Sequence, residues 1–442
     1  MKLTKKQILI TGSALLAMFL GAGNLIFPPM LGQQAGHALW PAVLGFIVTG
    51  VGLPLLGITA VAKAGGDLEY LANRVHPTFS KIITTIVVLC IGPLLAIPRT
   101  AATTYEVAVV PFLNTTDPSV LSWGLVITSF IYFLITLTFV LRPNKLVDEV
   151  GKILTPLLVV FLAIIIIKGV INPLAGSQPG QYSMPFVEGF LQGYNTMDAL
   201  ASVIFGMVIV NAIRLKGIKD NKEIARVTVW AGIIAAVGLS SLYIGLAYIG
   251  ATTGSTFTGS NPGQMLAYIT ESLLGITGKV VLALAITLAC LTTSIGLVAS
   301  SGNFFSRLSG YRISYNIVCI ITTLLSFLLA NMGLAKILAI SVPLLVNVYP
   351  IIIVLVLLAL FDNIFNGKRS VYITTTVGTV LAVLANLLVT LADKLGVQAS
   401  GISKLVGLLP LQEQGLGWVL PAVVMAVLGL FSKQKTGYQN EA

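Results

Sequence analysis

Charge is what this sequence has least of. Only 9% of its 442 residues are charged, and no more than 15 are Asp or Glu. Histidine occurs twice, at His37 and His76, and cysteine three times, at Cys90, Cys290 and Cys319. Each scarcity removes a class of function. A chain that is 56% hydrophobic with a mean hydropathy of +0.96 is not an ordinary soluble domain. Three cysteines inside apolar runs, with no pairing pattern, support neither a disulfide framework nor a metal site. There is no GxxxxGK[ST] phosphate loop, no GxGxxG after a strand and no HExxH, so ATP-driven pumping by this chain alone finds no support and an ion gradient is the expected energy source. No array of spaced arginines and no TVGYG-like filter argues for a channel. The acids lie almost entirely in loops, so there is no cluster of ionisable groups at one depth on which a membrane enzyme could be built.

What the sequence does have is apolar runs long enough to cross lipid. A bilayer core of ~30 Å takes ~20 helical residues, and such runs are read at 8–33, 39–62, 82–110, 120–141, 150–171, 187–213, 228–250, 280–305, 314–331, 335–361, 371–392 and 416–431. Backbone groups find no water in hydrocarbon, and strand alternation is absent, so these twelve spans are expected to be helices in an all-α membrane protein. The formal charge of +11 does not point to nucleic acid, because most of the 26 Lys and Arg residues fall in alternate loops. One side carries Lys5, Lys6, Lys63, Arg74, Lys81, Arg142, Lys145, Arg307 and Arg312, the other only a few such as Lys168, Lys279 and Lys336. The positive side is the cytoplasmic one, and an even number of spans puts both termini there. The N-terminal apolar run lacks a small-x-small cleavage site, and it reads as span 1 rather than as a secretory signal.

Two spans are interrupted. Span 1 runs apolar from Ile8 to Leu20 and then reads Gly21-Ala22-Gly23-Asn24-Leu25-Ile26-Phe27-Pro28-Pro29. Glycine and proline together favour local unwinding. Carbonyls freed there can hold a cation, and the N-terminal end of the outer half-helix can hold a carboxylate. A proline kink used only for packing would explain the prolines but not Asn24. Span 6 carries Tyr194, Asn195, Thr196 and Asp198 amid Gly189, Gly193 and Ser202. An ionisable residue at mid-span is read as functional by default, with a structural ion pair or a capping role as the alternative. Spans 1 and 6 open two successive blocks of five, and an odd block length inverts the second. The division expected is 1–172 for one repeat, 186–361 for the other, and 370–442 for spans 11 and 12 with the tail. Interruptions at matching positions of such repeats mark a transporter's binding site.

Three further features bear on coupling. Span 8 holds Thr292, Thr293 and Ser294, whose hydroxyls can bond back to their own helix or, with the Ala289 carbonyl and carbonyls from the span 1 break, offer a sodium ion hard oxygen ligands. In span 3, Arg99 and Glu106 share one helical face, and Arg99 needs a carboxylate or a cage of carbonyls, with Glu106 and Asp198 the available acids, for a gating pair or a structural one. Lys152 is an interfacial lysine or, if buried near spans 1 and 8, a stand-in for the metal ion that would make coupling proton-driven.

The span 1 segment from Gly21 to Pro29, together with the span 6 and span 8 segments, resembles the branched-chain amino acid:cation symporter family of the BrnQ type along nearly the whole chain. The resemblance implies twelve helices in a bacterial inner membrane and import of leucine, isoleucine and valine with sodium or protons. A more distant similarity is to the LeuT-type sodium symporters, in which a GxGN segment breaks helix 1 and an A-x-L-T-S-S-I segment lies in helix 8. It implies a LeuT-like 5+5 inverted repeat plus two C-terminal helices. It also implies sodium ligands at the carbonyls of Ala17, Leu20 and Ala289 and the hydroxyls of Thr292 and Thr293, with Asn24 matching an asparagine that contacts a second sodium beside the substrate carboxylate. The arginine that follows the break in those relatives is missing here, and the span 6 match is too loose to place a second sodium. The substrate-binding residues expected are Gly21, Ala22, Gly23, Asn24, Tyr194, Asn195, Thr196 and Asp198. An uncoupled pore and a membrane-embedded amino-acid sensor are the rival readings.

Overall fold

The computed structural model describes residues 4–64, 67–113, 115–142, 145–215, 217–218, 220–394 and 400–432. Among the described residues twelve helical spans follow one another and there is no strand. Span 1 is split into Lys5–Phe19 and Ala22–Ala35, and span 6 into Pro185–Gly193 and Asp198–Leu215. Span 2 runs from Leu39–Ile47 through a wide turn, Val48–Gly52, into Leu53–Ala64. Spans 4, 5 and 7 are Pro118–Leu141, Lys145–Ile171 and Asn221–Ala251. Spans 9 to 12 are Tyr315–Ala330, Leu334–Leu360, Arg369–Lys394 and Val419–Phe431.

Local chemistry sets where these helices begin. Asp117 accepts from the Ser119 N–H with Pro118 at the first helical position, and Asp220 accepts from Lys222 N–H. Both satisfy donors that a helix start leaves open. Asn261 followed by Pro262 does the same and starts a helix earlier than the apolar run predicts. That helix, Pro262–Leu308, is broken at Gly275 (φ 65°, ψ −160°), a backbone conformation that favours glycine. Its first part is a separate outer helix, and span 8 is the part that follows.

Span 3 also departs from expectation. Its sequence reads as one run, yet Pro77–Leu89 and Ala96–Ala108 are joined by Cys90–Leu94, where Gly92 sits at φ −96°, ψ −123°. Pro93 has no N–H to give and crowds the preceding turn, so the helix yields at Gly92.

Spans 1, 2, 6 and 7 pack into one bundle, and spans 3, 4, 8 and 9 into another. Span 11 lies against spans 10 and 12. The bundle is held tight where glycines face backbone: a Cβ on Gly32 would run into the Ala247 carbonyl of span 7, and one on Gly250 into Pro29 of span 1. Without a hydrophobic drive between helices in lipid, such close approach supplies the packing energy.

Candidate functional site

The break in span 1 is shorter than its glycines suggest. Only Leu20 and Gly21 are non-helical, and Ala22 begins a new helix that keeps Pro28 and Pro29 inside it. The prolines therefore do not make the interruption. Gly21 N–H turns back to the Phe19 carbonyl (2.7 Å) and to Asn24 Oδ1 (3.3 Å). As a result the carbonyls of Ala17 and Leu20 accept no backbone N–H from four residues on. The first N–H groups of the new helix, from Ala22 onward, have no carbonyl above them and carry the positive end of its dipole.

The break in span 6 is made differently. Tyr194–Thr196 form a single tight turn, and Met197 takes a left-handed conformation (φ 63°) before Asp198 starts the second half-helix. Thr196 Oγ1 donates to the Gly193 carbonyl (3.0 Å) and accepts from Asp198 N–H (3.4 Å). Tyr194 stacks on Tyr349 of span 10 with ring centres 4.1 Å apart.

The two breaks face one another. Asn24 Nδ2 donates to Asp198 Oδ2 at 2.5 Å and also reaches the Tyr243 hydroxyl of span 7, which in turn donates to Asp198 Oδ2 at 3.2 Å. All three residues are buried, at 2%, 4% and 1% exposure for Asn24, Asp198 and Tyr243. Beside them is a cavity of about 50 Å³ lined by Gly21, Gly23, Asn24, Thr196 and Asp198 on one side, with Arg99 of span 3 and Thr293 of span 8 on the other. Apolar walls come from Met18, Phe19, Ile91, Phe205 and Leu297. That volume takes about a water or two, each filling ~30 Å³, so an amino acid requires the walls to part.

Arg99 is 4% exposed and does not pair with Glu106. Its Nη1 donates to the Asn195 carbonyl (2.6 Å), and its guanidinium lies 5.4 Å over the Phe27 ring. Glu106 lies two turns further along and instead accepts from Gln264 Nε2 of the outer helix at 2.8 Å. The shared face is real, but seven residues is ~10.5 Å of helix, beyond ion-pair reach. In span 8, Thr292 and Thr293 both donate to the Ala289 carbonyl, at 2.9 and 3.0 Å. Thr293 Oγ1 is 3.8 Å from where a Cβ on Gly21 would stand, so the hydroxyl run does adjoin the span 1 break. The side chain of Lys152 lies outside the described residues.

A larger space lies next to the cavity on one side. A vestibule of about 670 Å³ shares Ile91 and Leu297 with it and reaches Asp67, Glu69, Arg307 and Tyr311 in the lysine- and arginine-rich loops. At its rim Arg307 pairs with Glu69 at 3.0 Å. The opposite face is closed by Glu106–Gln264, by Gln33 Nε2 on the Phe257 carbonyl (2.7 Å) and by Tyr182 on Gln34 (2.6 Å). Burial first, and Glu188 second, raise the pKa of the Tyr182 phenol, so it remains a donor at any ordinary pH.

Tyr243, Tyr349 and Gln264 were not foreseeable as site residues, since a tyrosine or glutamine in or near an apolar run reads as packing. The Gly92-Pro93 pair, a known breaker signal, could have revealed the interruption of span 3.

A family model described as "Branched-chain amino acid transport protein" matches residues 4–436. The branched-chain amino acid permease BraB of Bacillus subtilis is 46% identical over 434 residues, covering 96% of this chain and 95% of its own. The branched-chain amino acid transport system 2 carrier protein of Pseudomonas aeruginosa is 41% identical, covering 99% and 98%. Among solved structures, the inward-facing conformation of Mhp1 matches with a TM-score of 0.63 at 12% identity, covering 96% of this chain and 90% of that one. At that identity the likeness concerns the fold, which is LeuT-like.

Proposed function

This chain belongs to the branched-chain amino acid transport protein family, and from that premise we propose a secondary active transporter that imports leucine, isoleucine and valine together with sodium or protons. The observation that carries the reading is the meeting of two interrupted spans at Asn24 and Asp198, beside a cavity that shares the wall residues Ile91 and Leu297 with a larger vestibule. A zwitterionic amino acid binds between the breaks, with its ammonium on the span 6 oxygens of Asn195, Thr196 and Asp198. Its carboxylate lies toward the start of the outer half of span 1. Its side chain takes the apolar wall. One methylene changes binding by only ~1–3 kcal/mol in such a pocket, so the three substrates compete.

The coupling ion is assigned to the junction of spans 1 and 8. Two carbonyls without backbone donors, Ala17 and Leu20, lie on the span 1 side, and Ala289, Thr292 and Thr293 on the other. Neutral oxygens of this kind suit sodium. Binding favours one arrangement, and rocking of the bundle of spans 1, 2, 6 and 7 against spans 3, 4, 8 and 9 exchanges the open face. The two repeats are assigned to 1–172 and 186–361, with 370–442 outside the transport core. The protein is placed in a bacterial inner membrane with both termini in the cytoplasm, which makes the vestibule face inward.

The test is accumulation. Purified protein in liposomes should concentrate labelled leucine above the outside level under an inward sodium or proton gradient. Equilibration alone would make it a pore, and binding without uptake a sensor.

A further inference from the structure

Arg99 is left in an arrangement that calls for an anion. Its guanidinium is buried, its Nε has no hydrogen-bond partner, and its single bond is from Nη1 to the Asn195 carbonyl. No acid lies within 4.0 Å of it among the described residues. Asp198, the acid of the same cavity, has its Oδ2 engaged by Asn24 and Tyr243. Arginine is rarely buried without a paired charge, because desolvating it costs several kcal/mol.

Its position sharpens the point. Arg99 Nη2 stands 2.9 Å from where a Cβ on Gly23 would be, so the glycine is what admits the guanidinium to the first turn of the outer half of span 1. That turn is the positive end of a helix dipole with N–H groups to spare. A cation set against it is repelled unless a negative group comes between them. Both donors border the central cavity.

We infer that Arg99 is the carboxylate receptor of the transported amino acid, its guanidinium and the N–H groups that open the outer half of span 1 clasping the α-carboxylate between them. The inference rests on the substrate site proposed above and names the residue that recognises one end of it. Arginine's planar fork matches a carboxylate through two parallel bonds, which a lysine ammonium does not reproduce. The ligand's charge then supplies the partner that no acid within 4.0 Å gives Arg99 among the described residues. Compounds with the same side chain but no carboxylate forfeit this contact.

The experiment compares leucine with leucinol, which keeps the ammonium and the branched chain and lacks the carboxylate, in equilibrium binding to the purified full chain. Arg99→Gln should weaken leucine roughly 10- to 150-fold, the range for a hydrogen bond to a charged group, while leucinol binding stays within about threefold. Arg99→Lys should fall between. Retained leucinol binding also reports that the variant is folded. Should Arg99→Gln fail to fold, Gly23→Ala displaces Nη2 and should produce the same selective loss of leucine. Equal losses for both ligands would make Arg99 structural and overturn the assignment, as would unchanged leucine binding. Wild-type protein that binds neither ligand nor accumulates leucine would overturn the substrate site itself, a result recognisable because it appears without any substitution.

Discussion

Asn24 and Asp198 stand 174 residues apart in the chain and 2.5 Å apart in the structure. That bond ties the break of span 1 to the break of span 6 and holds a carboxylate in place at the centre of the molecule. Replacing Asn24 by alanine leaves the buried Asp198 carboxyl without this donor, a cost of ~1–3 kcal/mol. Leucine uptake per molecule in the membrane should fall roughly 5- to 150-fold, on the same scale. Uptake equal to wild type at matched expression would show that the link is incidental.

Tyr243 shares the same carboxylate but through one hydroxyl, at 3.2 Å. Tyr243→Phe keeps the ring, which packs edge-on against Phe46 at 5.1 Å between centres, and loses only the hydroxyl, which donates to Asp198 and accepts from Asn24. The expected result is a smaller loss than in Asn24→Ala, about tenfold, with thermal stability unchanged within ~1 kcal/mol. A larger loss than that of Asn24→Ala would mean that the tyrosine, not the asparagine, orients Asp198.

Much of this architecture could be read from residue order, and the reason is physical. In lipid a polar side chain or an unsatisfied peptide group is expensive wherever it stands, so Asn24 and Asp198 in apolar runs announce themselves. Long apolar runs and the one-sided placement of lysine and arginine defined the twelve spans in the same way. What stayed hidden depends on tertiary proximity. Glu106 meets Gln264 across 158 residues because a helix begins at Pro262 and lies over the C-terminal end of span 3, and no local pattern encodes where that helix rests. Pro28 and Pro29 misled in the opposite direction. They look like the cause of the interruption, but the helix resumes at Ala22 and carries them, so the break belongs to Leu20 and Gly21.

The seam between the outer half of span 1 and span 7 should be sensitive to any added side chain. Gly32 faces the Ala247 backbone with no room for a Cβ, so Gly32→Val must push the two helices apart. Overpacking of this kind costs ~1–3 kcal/mol. Thermal unfolding in detergent should show a lower midpoint for Gly32→Val and none for Gly176→Ala, whose Cβ would meet nothing within 4 Å. Equal midpoints would mean that the seam adjusts freely.

At the ion site, Thr292→Ala with Thr293→Ala leaves the Ala289 carbonyl and removes both hydroxyls that now donate to it. If sodium drives uptake through these oxygens, the double variant should need at least about tenfold more sodium for half-maximal uptake, one lost hard-oxygen ligand being on the order of a hydrogen bond to a charged group. Leucine binding without sodium should change little. Uptake in the wild type driven equally by a proton gradient in sodium-free medium, with the double variant unaffected, would move the coupling to a protonatable group instead.

The vestibule gives a test of orientation and of alternating access at once. Ser300 lines it, whereas the native Cys90, Cys290 and Cys319 are at most 3% exposed, so a cysteine placed at 300 reports with little background. A membrane-impermeant maleimide should label Ser300→Cys in inside-out vesicles and leave it unlabelled in intact cells, because Glu106–Gln264 and Tyr182–Gln34 close the other face. Conditions that favour the outward-open arrangement, such as a saturating coupling ion without leucine, should slow labelling as the vestibule narrows around Ile91 and Leu297. Labelling from outside intact cells would reverse the assigned orientation, and a rate indifferent to ion and leucine would mean that the vestibule is a fixed surface feature rather than one face of a moving gate.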